Sequence, residues 1–193
     1  TLIPTVAPTV TPTVTPTDAP TDAPTATPTD APTVVPTVAP TPIGADIDCT
    51  GEASLSLVIS CVQSSIQPKD SGMYTPVTDA AMHSQFYHLV RNITADKQCA
   101  VEMPSGLSSI YKTKTYVEDG TSYCILFTYR DSDGDGYFDD GQGVYIINMD
   151  PTPNPVSIVV PHPLFDTHTP ALGISVFSAL KGHVFSIAGA HRH

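Results

Sequence analysis

The stretch that decides the fold is Val156–His193, VSIVVPHPLFDTHTPALGISVFSALKGHVFSIAGAHRH. Ser157–Val160 is a short apolar run rich in β-branched residues, which predicts a strand buried on both faces. Pro161 and Pro163 bracket His162, stiffening the backbone and blocking continuation of strand or helix. Thr169 as N-cap with Pro170 behind it opens a helix. Leu172, Val176, Phe177 and Leu180 give that helix an apolar face, and Gly182 after Lys181 stops it. His183–Ala190 reads as a second strand. Strand, crossover helix and strand predict a right-handed unit whose strands are parallel and adjacent. The fold class is therefore α/β (or α+β), a mixed sheet ending in a parallel βαβ unit.

Both strands deliver histidines at their C-terminal ends, where open α/β sheets place ligands. His162 leaves the first strand, and His191 and His193 leave the second. Asp166, His168 and Thr169 sit on the intervening loop, beside the positive end of a helix. The expected roles are His162, Asp166 and His191 as metal ligands or a general acid/base set, with His193 as a further ligand. Arg192 is placed to bind an anionic substrate group. Neutral imidazoles with one carboxylate suit zinc or iron, and an open coordination position would activate water. The competing structural roles are helix capping for Asp166 and a bond to the neighbouring strand for His162. The pattern P-H-P-x-x-D-x-x-T, a helix, then A-G-A-H-R resembles an uncharacterised group of secreted or surface proteins with a hydrolase-like appearance. That resemblance covers the terminal unit, with or without the hairpin before it, leaves out the stalk, and implies a site without implying a substrate.

Upstream lies the most specific local motif, Asp131-Ser132-Asp133-Gly134-Asp135-Gly136-Tyr137-Phe138-Asp139-Asp140-Gly141-Gln142. Calcium is a hard cation that takes six to eight oxygens, and D-x-D-x-D-G spacing supplies alternate carboxylates around a glycine turn. The ligands expected are Asp131, Asp133, Asp135, Tyr137 (through its carbonyl), Asp139 and Gln142. Gln142 stands where the consensus has a bidentate glutamate, which weakens the site or moves the last ligand to Asp140. No helix is predicted beside the loop, so it resembles the calcium loops of extracellular repeat modules more than a sensor EF-hand. A polar hairpin tip is the plainer reading. However, five carboxylates this close repel one another without a cation.

Between the N-terminus and this loop, the signals are conventional. Cys49, Cys61, Cys99 and Cys124 suggest disulfides with three possible pairings that the sequence does not separate; Cys49–Cys61 with Cys99–Cys124 is the pairing expected, because both close short loops. Asn92-Ile93-Thr94 is an N-glycosylation acceptor. Leu55–Ile59 reads as a strand. Met82, Phe86, Leu89 and Ile93 fall at helical spacing after Thr75-Pro76 and Thr78-Asp79. Tyr111–Val117, a turn at Glu118-Asp119-Gly120, and Tyr123–Arg130 form a hairpin, and Val144–Met149 is another strand after the acidic loop.

The first 42 residues are different. From Pro4 to Pro40 every fourth residue is proline followed by threonine, which excludes helix and central strand and leaves a disordered or polyproline II stalk. Threonine beside proline is also the composition of O-glycosylated stalks. Residues 43–193 then form a single α/β domain. Of 19 acidic residues only Asp18, Asp22 and Asp30 lie in the stalk, so the domain keeps 16 against 8 Lys and Arg. Such a surface repels phosphate backbones, so nucleic acid is not an expected partner. No apolar run reaches the ~20 residues of a membrane span. The start at Thr1 without a signal peptide marks a processed chain or fragment, and the domain is expected to continue past His193. These signs lead to a secreted or surface-anchored hydrolase braced by calcium and disulfides. The alternative is a non-enzymatic, calcium-binding surface or adhesion module presented on its stalk.

Overall fold

The computed structural model describes residues 44–68, 79–153 and 156–190. The chain divides into two units, Thr1–Ala39 and Pro40–His193, and every described residue belongs to the second. The stalk and His191, Arg192 and His193 fall outside the described residues. The elements are a 3-10 turn at Cys49–Gly51, α1 (Leu55–Ser64), α2 (Ala80–Asp96), β1 (Tyr111–Glu118), β2 (Thr121–Thr128), β3 (Val144–Asn148), β4 (Ser157–Val160), α3 (Thr169–Leu180) and β5 (Val184–Ile187).

The strands form one mixed sheet in the order β1-β2-β3-β5-β4. The first three are an antiparallel meander, β3 pairs antiparallel with β5, and β4 runs parallel to β5. The class read from the sequence, α/β with a C-terminal parallel unit, is the one observed. Asp119 and Gly120, with φ of 48° and 75°, make the two-residue turn joining β1 to β2. Positive φ at both central positions gives the backbone twist that tight hairpins favour.

Helices lie on both faces of the sheet. On one face α1 and α3 pack against each other and over Tyr123, Ile125 and Phe127 of β2, Val144 and Ile146 of β3, and Phe185 and Ile187 of β5. On the other, Leu89 and Ile93 of α2 pack with Cys124, Leu126 and Ile147. Strand period two explains the division, because alternate residues of β2 and β3 serve opposite cores. Gly173 brings α3 close to the sheet, since a Cβ there would sit 3.0 Å from Val160 Cγ2 and 3.1 Å from Phe185 Cε2.

Two expectations are corrected. Leu55–Ile59 is the start of a helix, not a strand. Its apolar residues fit either pattern until Val62 is included. Leu55, Val58, Ile59 and Val62 then line one helical face, all buried. The N-cap Ser54 accepts from Leu57 N–H at 3.2 Å, satisfying one of the orphan donors of the first turn. Ser54→Ala is expected to cost about 1 kcal/mol, read as a lower urea midpoint with an unchanged slope. The second correction concerns β4, which is an edge strand rather than one buried on both faces. Val159 is 66% exposed and only Val160 is buried, because no described strand lies beyond β4 and none of its residues joins the α2-side core.

Candidate metal-binding loop

The acidic loop joins β2 to β3, its ends held by antiparallel pairing of Phe127 with Val144. Its floor is apolar. Phe138 is 2% exposed within the α1/α3 core, and its N–H donates to Ser65 O at 2.8 Å, tying the loop to the end of α1. The return into β3 passes through Gly143, where φ is +80° and a Cβ would lie 2.1 Å from Ile187 O. Only glycine fits that approach of loop to β5.

Asp131 organises the loop. Its carboxylate is buried, and Oδ1 accepts from Gly134 N–H at 2.7 Å and Asp135 N–H at 3.2 Å, while Oδ2 accepts from Gly136 N–H at 3.0 Å. The chain thus wraps around one carboxylate, with Gly134 and Gly136 at φ of 74° and 84°. Asp139 folds back from the other side and accepts from Ser132 N–H at 3.1 Å. The result is a cluster in which ligand oxygens of Asp131, Asp133 and Asp139 all lie within 4.8 Å of one another. Oxygens sharing a calcium at 2.3–2.6 Å sit at most about 5 Å apart, so this spacing suits one ion. The cluster could hold a metal ion.

The remaining expected ligands are placed differently. Asp135 is exposed, and its Oδ1 accepts from Tyr137 N–H at 2.8 Å. It does not join the three-carboxylate group. Gln142 has its carbonyl facing Tyr111, whose hydroxyl donates at 3.4 Å. Arg130 offsets part of the charge, with Nε 3.0 Å from Asp139 Oδ2 and a terminal nitrogen 3.2 Å from Asp140 Oδ1. Asp140 itself is 7% exposed, and its Oδ2 has no hydrogen-bond partner. Burial pushes its carboxyl above the usual range, against the pull of Arg130 and with the help of Asp139. A buried carboxylate oxygen without a partner is a costly feature that needs a ligand or water to explain it.

At the β4 edge of the sheet, the topology predicted for the histidine unit is present. Val160 of β4 aligns with Ile187 of β5, and Ala188 N–H donates to Val160 O at 3.0 Å, so the two C-terminal ends lie side by side. The loop after β4 is drawn in by Asp166 N–H bonding His162 O at 3.0 Å and by Gln63 Nε2 donating to Pro163 O at 2.8 Å. His162 is half-buried, whereas Asp166 and His168 are exposed. The helix cap falls one residue before the expected Thr169, at His168, without a side-chain cap bond; Asp166 helps through its carbonyl, which accepts from Thr169 N–H. Among the described residues, His162 and Asp166 belong to no group of three metal-ligating side chains.

The disulfides Cys49–Cys61 and Cys99–Cys124 are both present, as the loop lengths suggested. Structural disulfides belong to oxidising compartments, which points to an extracellular setting. Asn92 of the glycosylation acceptor is exposed on α2. No helix among the described residues is long and apolar enough to cross a membrane. The chain matches no protein-family model, no curated protein sequence and no solved structure.

Proposed function

We propose that this chain is a non-enzymatic, extracellular calcium-binding module presented on a proline-threonine stalk. The observation that carries the reading is the Asp131, Asp133 and Asp139 cluster, gathered within 4.8 Å by backbone bonds to Asp131. Hard oxygen donors with no sulfur or imidazole among them favour calcium or magnesium over zinc or iron. A loop with Gln142 in place of the bidentate glutamate matches the weak, millimolar end of calcium affinity used by extracellular modules. The ion's role is structural: it neutralises the loop and fixes the β2–β3 connection above the α1/α3 core. Calorimetric titration of the purified, oxidised protein checks this. Heat that saturates at millimolar calcium is expected, and no heat there would remove the reading.

A second reading is a metal-dependent hydrolase using His162, Asp166, His191 and His193 as zinc or iron ligands, with Arg192 as anion binder. The parallel alignment of β4 and β5 favours it, because it sets the loop bearing His162 beside the end of β5. Zinc or iron retained through purification, and lost in a His162→Ala, His191→Ala double variant, supports that reading. Calcium alone, unaffected by those changes, supports the first.

A further inference from the structure

A half-open cavity of about 280 Å³ lies between α2 and the sheet and reaches the end of the acidic loop at Gln142. Its walls are Met82 and Phe86 of α2, Leu107 and Ile110 of the preceding turn, Tyr111 of β1 and Tyr145 of β3. Leu107, Ile110 and Tyr111 are buried, whereas Met82, Phe86 and Tyr145 are half-buried, so the opening runs past the first turns of α2. Protein interiors pack to crystal density, and a space this large is more than a packing defect. An apolar cavity of roughly 150 Å³ holds benzene, so this one has room for a substituted or fused ring.

The lining sets the chemistry. Phe86 stands 4.9 Å from Tyr145 and 5.4 Å from Tyr111, and the two tyrosine rings are 6.4 Å apart, all mutually tilted. Rings this close touch one another and leave no gap for a cation between their faces, which separates this cluster from an aromatic cage. They instead form a wall against which another ring can pack edge to face. Among the described residues no Lys, Arg, Asp or Glu lines the space, so a charged ligand would meet no counter-charge from them. His83 and Gln142 complete the lining and bring polar groups to an otherwise apolar surface. Burial raises the Tyr145 hydroxyl above its ordinary pKa, so it stays a neutral donor and acceptor.

We infer that this cavity is a binding site for a small neutral aromatic molecule carrying one hydrogen-bonding group. Cavities of this kind, apolar with a few placed polar groups, are the usual form of small-molecule sites. The assignment does not depend on the acidic loop holding an ion. Indole is a suitable probe, since its fused ring matches the volume and its N–H supplies the single donor. Titrating indole into the full oxidised chain should shift the ring protons of Phe86, Tyr111 and Tyr145 saturably and together. Met82→Trp fills the mouth and should weaken indole binding at least tenfold, while Tyr87→Trp, on an exposed position outside the cavity, should leave it unchanged. The ring shifts of the unaltered protein stand as evidence whether or not Met82→Trp folds. Shifts that fail to saturate, equal affinity in a folded Met82→Trp variant, or equally tight binding of benzoate or benzylamine would each overturn the assignment.

Discussion

Asp131→Asn is expected to abolish most of the thermal stabilisation that calcium gives this protein. A ligand that binds only the folded state contributes about 2.7 kcal/mol at 100 times its Kd. For a domain of this size that corresponds to a rise of roughly 5–10 °C in Tm. Asp131 is the residue around which the loop closes, and its two oxygens hold three backbone N–H groups. An amide in its place lacks the charge and presents a donor to one of those donors. The variant therefore loses stability without calcium as well, and the informative quantity is the calcium-induced shift rather than the Tm itself. Asp133→Asn separates the two effects. Asp133 is exposed and its Oδ1 accepts one long bond, from Asp135 N–H at 3.3 Å, so its replacement should leave the apo Tm nearly unchanged. It should still reduce the calcium shift, because one of three clustered carboxylates is gone. Scanning calorimetry across a calcium series checks both. A full calcium shift in both variants would mean that the ion sits elsewhere or that the loop holds none.

What the sequence makes legible here follows from how local each signal is. The hairpin turn at Asp119-Gly120, the helix through Leu89 and Ile93, and the parallel strands flanking α3 each rest on residues close together in the chain. Leu55–Ile59 misleads because alternation and helical spacing coincide over five residues, and only Val62 and the Ser54 cap break the tie. The edge position of β4 is a property of the whole sheet. An apolar tetrapeptide does not reveal whether another strand lies beyond it. The acidic loop is legible as a motif, and the clustered Asp131, Asp133 and Asp139 are among the ligands expected from it, but the exclusion of Asp135 is not legible. D-x-D-x-D spacing gives Asp131, Asp133 and Asp135 equal standing, whereas Asp139 joins the cluster in place of Asp135. Asp139 is drawn in by a bond from its own N–H to Arg130 O across the loop, a contact between chain ends that spacing does not encode. The aromatic cavity is invisible for the same reason, since Phe86, Tyr111 and Tyr145 come from three separate elements.

Reduction of the disulfides is expected to unfold the domain, and the two bridges should contribute unequally. Cys49–Cys61 spans 12 residues and Cys99–Cys124 spans 25. Loop-closure entropy in the unfolded chain assigns them about 3 and about 3.5 kcal/mol. Context widens the gap. Cys124 is fully buried at the centre of the sheet, in the core shared with Leu89 and Ile93, so its bridge ties the 97–110 segment and the end of α2 to β2. Cys61 is only half-buried, and its bridge joins α1 to the short turn immediately before it. A Cys99→Ala, Cys124→Ala pair should therefore lower stability more than a Cys49→Ala, Cys61→Ala pair, with about 3–4 kcal/mol lost in the first. Losing both bridges removes an amount comparable with the entire ~5–15 kcal/mol of a typical domain. Denaturant melts of the oxidised protein, the two paired variants and the reduced protein measure this directly. A reduced protein that still unfolds cooperatively near the oxidised midpoint would show that the cores suffice alone. It would also remove the stability argument for an oxidising compartment.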